Sequence, residues 1–154
     1  MNSKKYKAVK VIFMITLFFL ILINVSNIVW VLSMMLEIGI KKEVISLLYP
    51  DVIILLWTFS IFFLLRMLRK MEQGFFLEKE MKEPKIIANI FLIMTISEAI
   101  FFNLTGGVIR MGNMRSNAFS LMIFVYLFIY LVFLILPTLF SEIKNLDEEN
   151  KSII

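Results

Sequence analysis

One carboxylate lies inside an otherwise apolar stretch of this sequence, and it has the clearest potential for chemistry. Glu98 stands in the run that begins at Ile86, twelve residues from its start. If the run crosses a membrane, an acidic side chain there is costly and tends to face a bundle interior, a partner or a water path. Three roles are open for Glu98. It is a proton-coupling group, a side chain that extends outward to the membrane surface, or a protonated, hydrogen-bonded packing residue. A single carboxylate without a counter-ion is weak support for a proton path.

Polar side chains in the first apolar run form a stripe that could meet this carboxylate. Thr16, Asn24 and Asn27 fall within an arc of about 80° at ~100° per residue. Asn24 and Glu98 lie ~20 Å and ~18 Å along their runs, taking ~1.5 Å per residue. We therefore predict that the stripe packs against Glu98 inside a helical bundle, with Tyr126 of the last apolar run beside them.

Other kinds of chemistry are excluded by composition. The chain has no Cys and no His, which removes disulfides, thiol nucleophiles and the imidazole sites used for zinc, haem, copper and general-base catalysis. The apolar runs contain no paired carboxylates for acid–base work. The sequence therefore predicts a protein that is not an enzyme and has no metal site or cofactor.

The elements that must position these residues are long apolar segments. The chain of 154 residues is 60% hydrophobic with 16 Phe, and its mean hydropathy is +0.91. A soluble domain of this size would expose large apolar patches to water. We predict an all-α membrane protein with four transmembrane helices, since a bilayer core of ~30 Å needs about 20 apolar residues per crossing. The predicted organisation is one domain, 1–154, with spans at about 11–34, 46–67, 86–105 and 117–140, a loop at 66–85 and an acidic tail at 141–154.

Two prolines bear on where these helices end. Pro50 interrupts the apolar residues at the start of the second span, and Pro137 lies near the end of the fourth. Proline removes a backbone donor and clashes with the preceding turn, so Pro137 is expected to kink or end its helix.

The basic residues predict an orientation. Twelve of the sixteen Lys and Arg residues precede the first span, lie in the loop at 66–85, or follow the fourth span. Short loops rich in Lys and Arg stay on the cytoplasmic side. We therefore expect a multi-pass protein of the cell (plasma) membrane with both termini and the central loop in the cytoplasm. The same distribution, at the ends of apolar runs, argues against direct nucleic-acid binding.

The central loop offers the largest surface to a soluble partner. Its aromatic residues follow a glycine and are framed by basic residues before and acidic residues after. The docking candidates are Arg69, Lys70, Gly74, Phe75, Phe76 and Glu78. An interfacial anchor, with the aromatics in the headgroup layer, is an equally good interpretation. The basic residues at the end of the second span could bind anionic lipid, although the orientation signal alone accounts for them.

Two short motifs carry a resemblance to a known family. The central segment MLRKMEQGFFLEKEMKEPKIIANI and the end of the chain, ENKSII, resemble a family of small bacterial four-helix integral membrane proteins of unknown function. Pro84, Lys151 and Ser152 depart from the family pattern. Members are often encoded beside a helix-turn-helix regulator of the Cro/C1 type. The resemblance therefore implies a cytoplasmic transcription regulator as a partner, and it supplies no catalytic residues.

Three functions follow from these features. The first is a non-enzymatic regulatory or sensory protein that holds or releases a cytoplasmic regulator. The second is an immunity protein against a bacteriocin or antimicrobial peptide, because small, basic, multi-span proteins without catalytic residues suit that role as well. The third and least supported is a small proton-coupled transporter that uses Glu98, since few intramembrane polar groups are present. The lipid bilayer is the expected partner in each case, and a homo-oligomer is left open.

Overall fold

All the regular secondary structure in the described residues is α-helix. The computed structural model describes residues 3–39, 42–72, 82–105 and 121–152. The four helices are α1, Ser3–Ile38; α2, Lys42–Glu72; α3, Glu83–Thr105; and α4, Leu121–Ser152. The prediction of an all-α fold with four long helices is confirmed for this part of the chain.

Each helix contains a segment long and apolar enough to cross a membrane. These segments are Lys7–Glu37, Leu48–Glu72, Glu83–Phe102 and Leu121–Ile143. The shortest has 20 residues, which at ~1.5 Å per residue matches a hydrocarbon core of ~30 Å. Large apolar side chains such as Phe18, Phe62 and Phe128 are exposed along them. A surface of this kind suits lipid and would be a liability in water.

The chain divides into two compact units. The amino-terminal unit is Met1–Leu65 and the carboxyl-terminal unit is Arg66–Ile154. In the carboxyl-terminal unit α3 packs against α4. Ile87, Phe91 and Met94, at helical spacings of four and three on α3, are buried, as that spacing places side chains on one face. The Phe91 ring lies 6.5 Å from the Phe133 ring at an angle of 7° and 6.2 Å from the Tyr126 ring at 45°.

The helix ends follow from local sequence. Gly39 adopts φ 76°, a left-handed conformation that glycine reaches without a side-chain clash. Its N–H donates to the Met35 carbonyl at 3.0 Å and so caps α1. At the start of α3, the Ile86 N–H donates a hydrogen bond to the Lys82 carbonyl at 3.1 Å. Pro84 then falls in the first turn, where a missing N–H costs no helical bond.

Neither internal proline ends its helix. α2 continues through Pro50, so apolar residues on both sides of that proline belong to one helix. α4 continues through Pro137 to Ser152, and residues 141–152 of the acidic tail are therefore helical. Termination at Pro137, one of the two expected outcomes, does not occur. The following residues include Glu, Lys and Leu, which favour a helix, and membrane helices commonly accommodate proline.

Candidate functional site

An ionic cluster joins the end of α2 to the start of α3. Glu83 Oε1 accepts from Lys70 Nζ at 2.8 Å and from Arg66 Nε at 3.0 Å. We call Arg66, Lys70 and Glu83 the ionic cluster. All three residues belong to the carboxyl-terminal unit.

The helices explain why these side chains meet. Arg66 and Lys70 are four residues apart on α2, so both project from the same face. Glu83 is the first residue of α3, where the exposed N–H groups and the helix dipole favour a negative charge. Two cations on one helix thus face one carboxylate on the next.

The cluster is asymmetric in its access to water. The Glu83 side chain is 3% exposed, whereas Lys70 is 28% exposed and Arg66 is 58% exposed. Glu83 Oε2 is buried and has no hydrogen-bond partner in the part of the chain that the structure describes. A buried charge is costly unless it is paired. Burial raises the pKa of Glu83, but Lys70, a backbone N–H and Arg66 stabilise the carboxylate and hold its pKa below the usual value.

A second polar contact lies in the amino-terminal unit. Asn24 Nδ2 donates to Thr58 Oγ1 at 2.8 Å and to the Leu20 carbonyl at 2.7 Å. The Thr58 hydroxyl donates in turn to the Ile54 carbonyl at 2.8 Å. Asn24 is buried. This short chain of bonds links α1 to α2 through neutral groups, a common means of joining helices in lipid.

The rest of the predicted polar stripe has a more local role. The Thr16 hydroxyl donates to the Ile12 carbonyl within α1 at 2.9 Å. Asn27 is partly exposed. Of the three stripe residues, Asn24 is the one for which the structure gives a bond to a second helix. The predicted contact between the stripe and Glu98 would join the two units, and it stays a prediction.

The other two polar candidates from the apolar runs are both buried in the carboxyl-terminal unit. Glu98 on α3 is 3% exposed and Tyr126 on α4 is 6% exposed. Tyr126 packs beside the Phe91 ring. Burial of Glu98 is compatible with a coupling carboxylate and with a hydrogen-bonded packing residue, but not with a side chain that extends outward.

The docking candidates of the central loop divide between two parts of the chain. Arg69 and Lys70 lie in the last turn of α2. Arg69 is exposed and Lys70 belongs to the ionic cluster. The remaining candidates, Gly74, Phe75, Phe76 and Glu78, lie outside the described residues.

Glu83 and Thr58 are not among the candidates that the sequence predicts. Glu83 did have a signal, because its place directly before Pro84 and an apolar run indicates the first turn of a helix. Thr58 had no comparable signal, because an isolated Thr in an apolar run usually bonds its own helix. Its role as an acceptor for Asn24 depends on how α1 and α2 lie against each other.

The described residues include no group of three or more Asp, Glu, His or Cys placed to hold a metal ion. Comparisons with protein-family models, curated proteins and solved structures gave no match.

Proposed function

We propose that this chain is a multi-pass protein of the cell membrane that binds a cytoplasmic regulatory protein and carries out no catalysis. The four apolar helices support the placement in a membrane. The bias of Lys and Arg towards the two ends of the sequence and the α2–α3 connection supports a cytoplasmic position for these parts.

The ionic cluster is the observation that carries the docking role. It ties the end of α2 to the start of α3, and the ten residues 73–82 connect these two helices. A connection whose two ends are fixed loses less conformational entropy on binding than one with free ends. The cluster would therefore prepare the connection to receive a partner.

The resemblance to a family encoded beside helix-turn-helix regulators suggests the class of that partner. In the proposed mechanism the regulator is held at the membrane through the α2–α3 connection and is released when the connection changes. Such a role needs charged and aromatic surface in the cytoplasm, which the segment with Phe75 and Phe76 supplies in sequence.

Photo-crosslinking in native membranes tests this proposal. A photoreactive residue is placed at Phe76, and a control probe is placed at Phe124, which is 57% exposed on α4. Because the chain has no Cys, single cysteines at Glu37 and Arg69 report the sidedness of the same preparation. We expect capture of a DNA-binding regulator from Phe76 alone. Lipid adducts at both positions, with no protein partner, would reject the docking role.

A matched pair of carboxylate variants links the capture to the ionic cluster. Glu83→Gln removes the negative charge of the cluster, and Glu142→Gln makes the same chemical change at an exposed position on α4. We expect several-fold weaker capture with Glu83→Gln and unchanged capture with Glu142→Gln. Equal capture in both variants would show that the cluster does not prepare the connection.

A further inference from the structure

Arg66 stands where an apolar helix segment ends. It follows the uncharged run 52–65 of α2, and Arg69 and Lys70 come after it. In the proposed orientation this position lies at the cytoplasmic boundary of the hydrocarbon core, which is the depth of the phospholipid headgroups. Long basic side chains at such positions extend towards the headgroup layer.

The guanidinium of Arg66 is held by one bond to Glu83, and its other N–H donors are available to a ligand. Its bond to Glu83 involves Nε, while the side chain remains 58% exposed. A guanidinium has five N–H donors, so four remain on the two terminal nitrogens. The structure gives Arg66 no other polar contact among the described residues. Two N–H groups in one plane match two oxygens of a phosphate.

Glu83 restrains Arg66 without neutralising the cluster. One carboxylate accepts from two cations, so the three side chains keep one positive charge. Over residues 66–85 the sequence has six cations and four carboxylates, a net charge of +2. The surroundings of Arg66 therefore attract an anion, and the buried Oε1 contact holds the guanidinium in one place.

We propose that Arg66, positioned by Glu83 and supported by the charge of Lys70, binds the phosphate group of an anionic phospholipid in the cytoplasmic leaflet. This inference rests on the membrane placement proposed above and is independent of the docking partner. The ligand is a phosphate diester whose acyl chains lie beside the apolar surface of α2. A free phosphate would share the headgroup chemistry and lack the apolar contact.

Titration of the purified, delipidated full-length protein with phosphatidylglycerol tests the site, using native mass spectrometry to count bound lipids. Arg66→Gln is the main variant. Arg69→Gln is its matched control, since it removes the same charge from an exposed residue three positions away. We expect Arg66→Gln to weaken the tightest lipid-binding event by about tenfold and Arg69→Gln by about twofold or less. Equal losses would mean that diffuse positive charge binds the lipid, and the site would be rejected.

Two further variants separate a positioned site from simple charge. Glu83→Gln raises the net charge by one, so diffuse attraction predicts tighter binding, whereas loss of positioning predicts binding weaker by a few fold. Arg66→Lys keeps the charge and removes the two-pronged donor, and we expect it to bind about as weakly as Arg66→Gln. If Glu83→Gln fails to fold, Arg66→Lys decides alone. Binding by Arg66→Lys at the level of the unaltered protein would overturn the proposal.

A competition experiment decides whether the bound phosphate belongs to a lipid headgroup or is a free anion. Inorganic phosphate is added to the lipid-bound protein, and phosphatidylcholine replaces phosphatidylglycerol in a parallel titration. We expect millimolar phosphate to leave the lipid bound and phosphatidylcholine to bind more weakly, because it has no net negative charge. Displacement by phosphate would assign the site to a free anion and overturn the lipid assignment. A failed docking experiment does not affect this result, since no cytoplasmic protein is present.

Discussion

The two units of this protein use different polar contacts to join their helices. In the amino-terminal unit, Asn24 bonds Thr58 through neutral groups within the apolar part of both helices. In the carboxyl-terminal unit, Arg66 and Lys70 bond Glu83 at the ends of theirs. Lipid offers little hydrophobic drive for helix association. The neutral pair thus joins helices inside their apolar segments, and the charged cluster joins them at the ends of those segments, where the cations remain partly exposed.

The largest expected effect is on stability, and it arises because Glu83 is buried while Arg66 and Lys70 are partly exposed. The double variant Arg66→Gln, Lys70→Gln leaves Glu83 buried without a cation, and we expect it to lower the free energy of unfolding by about 3–5 kcal/mol. Glu83→Gln leaves two cations that can turn to water, and we expect a loss of about 1 kcal/mol. Equilibrium unfolding in mixed detergent micelles measures both. A loss from Glu83→Gln equal to that from the double variant would contradict the asymmetry.

A smaller effect is expected from the aromatic packing of the carboxyl-terminal unit. Phe91→Ala removes ring contacts with Tyr126 and Phe133, and each aromatic pair contributes about 0.5–1.5 kcal/mol. We expect a loss of about 1–3 kcal/mol in the same unfolding assay. Phe128→Ala, at a ring that is 68% exposed, is the control and should cost less than about 0.5 kcal/mol. Equal losses would mean that packing by Phe91 is no stronger than contact with detergent.

The smallest effect is expected for the neutral contact of the amino-terminal unit. A double-mutant cycle with Asn24→Ala and Thr58→Ala should give a coupling free energy of about 0.6 kcal/mol. The value is small because Asn24 keeps the Leu20 carbonyl as an acceptor when Thr58 is lost. Ser33→Ala is the control, since its hydroxyl bonds the Val29 carbonyl of its own helix, and it should be additive with Thr58→Ala. Coupling of several kcal/mol would remove the contrast between the units.

The four helices could be predicted from the sequence, but whether each internal proline ends its helix could not. Four apolar runs of sufficient length correspond to four helices, because backbone groups in such runs must bond within the helix. Pro50 and Pro137 carried an ambiguous signal, since proline can end a helix or remain inside one. Both remain inside. Gly39, with its positive φ, follows the last residue of α1, which is the position where helices commonly end in glycine.

The partners of the buried polar groups illustrate what sequence spacing lacks. Asn24 is ~21 Å along its helix from Lys10, and Thr58 is ~12 Å from Arg66, taking ~1.5 Å per residue. Counting from the basic ends would not pair these two residues, yet they share a hydrogen bond. How α1 and α2 lie against each other decides this pairing, and no residue count supplies that arrangement.

The sequence by itself determined that the chain forms four long apolar helices, because their length and hydropathy follow from consecutive residues. The tertiary structure decided which polar groups are paired. Glu83 became the acceptor of two cations, and Asn24 became the donor to Thr58, because contacts between helices depend on rotation, tilt and depth. These three quantities are set by packing of whole helix surfaces and are not encoded in any short motif.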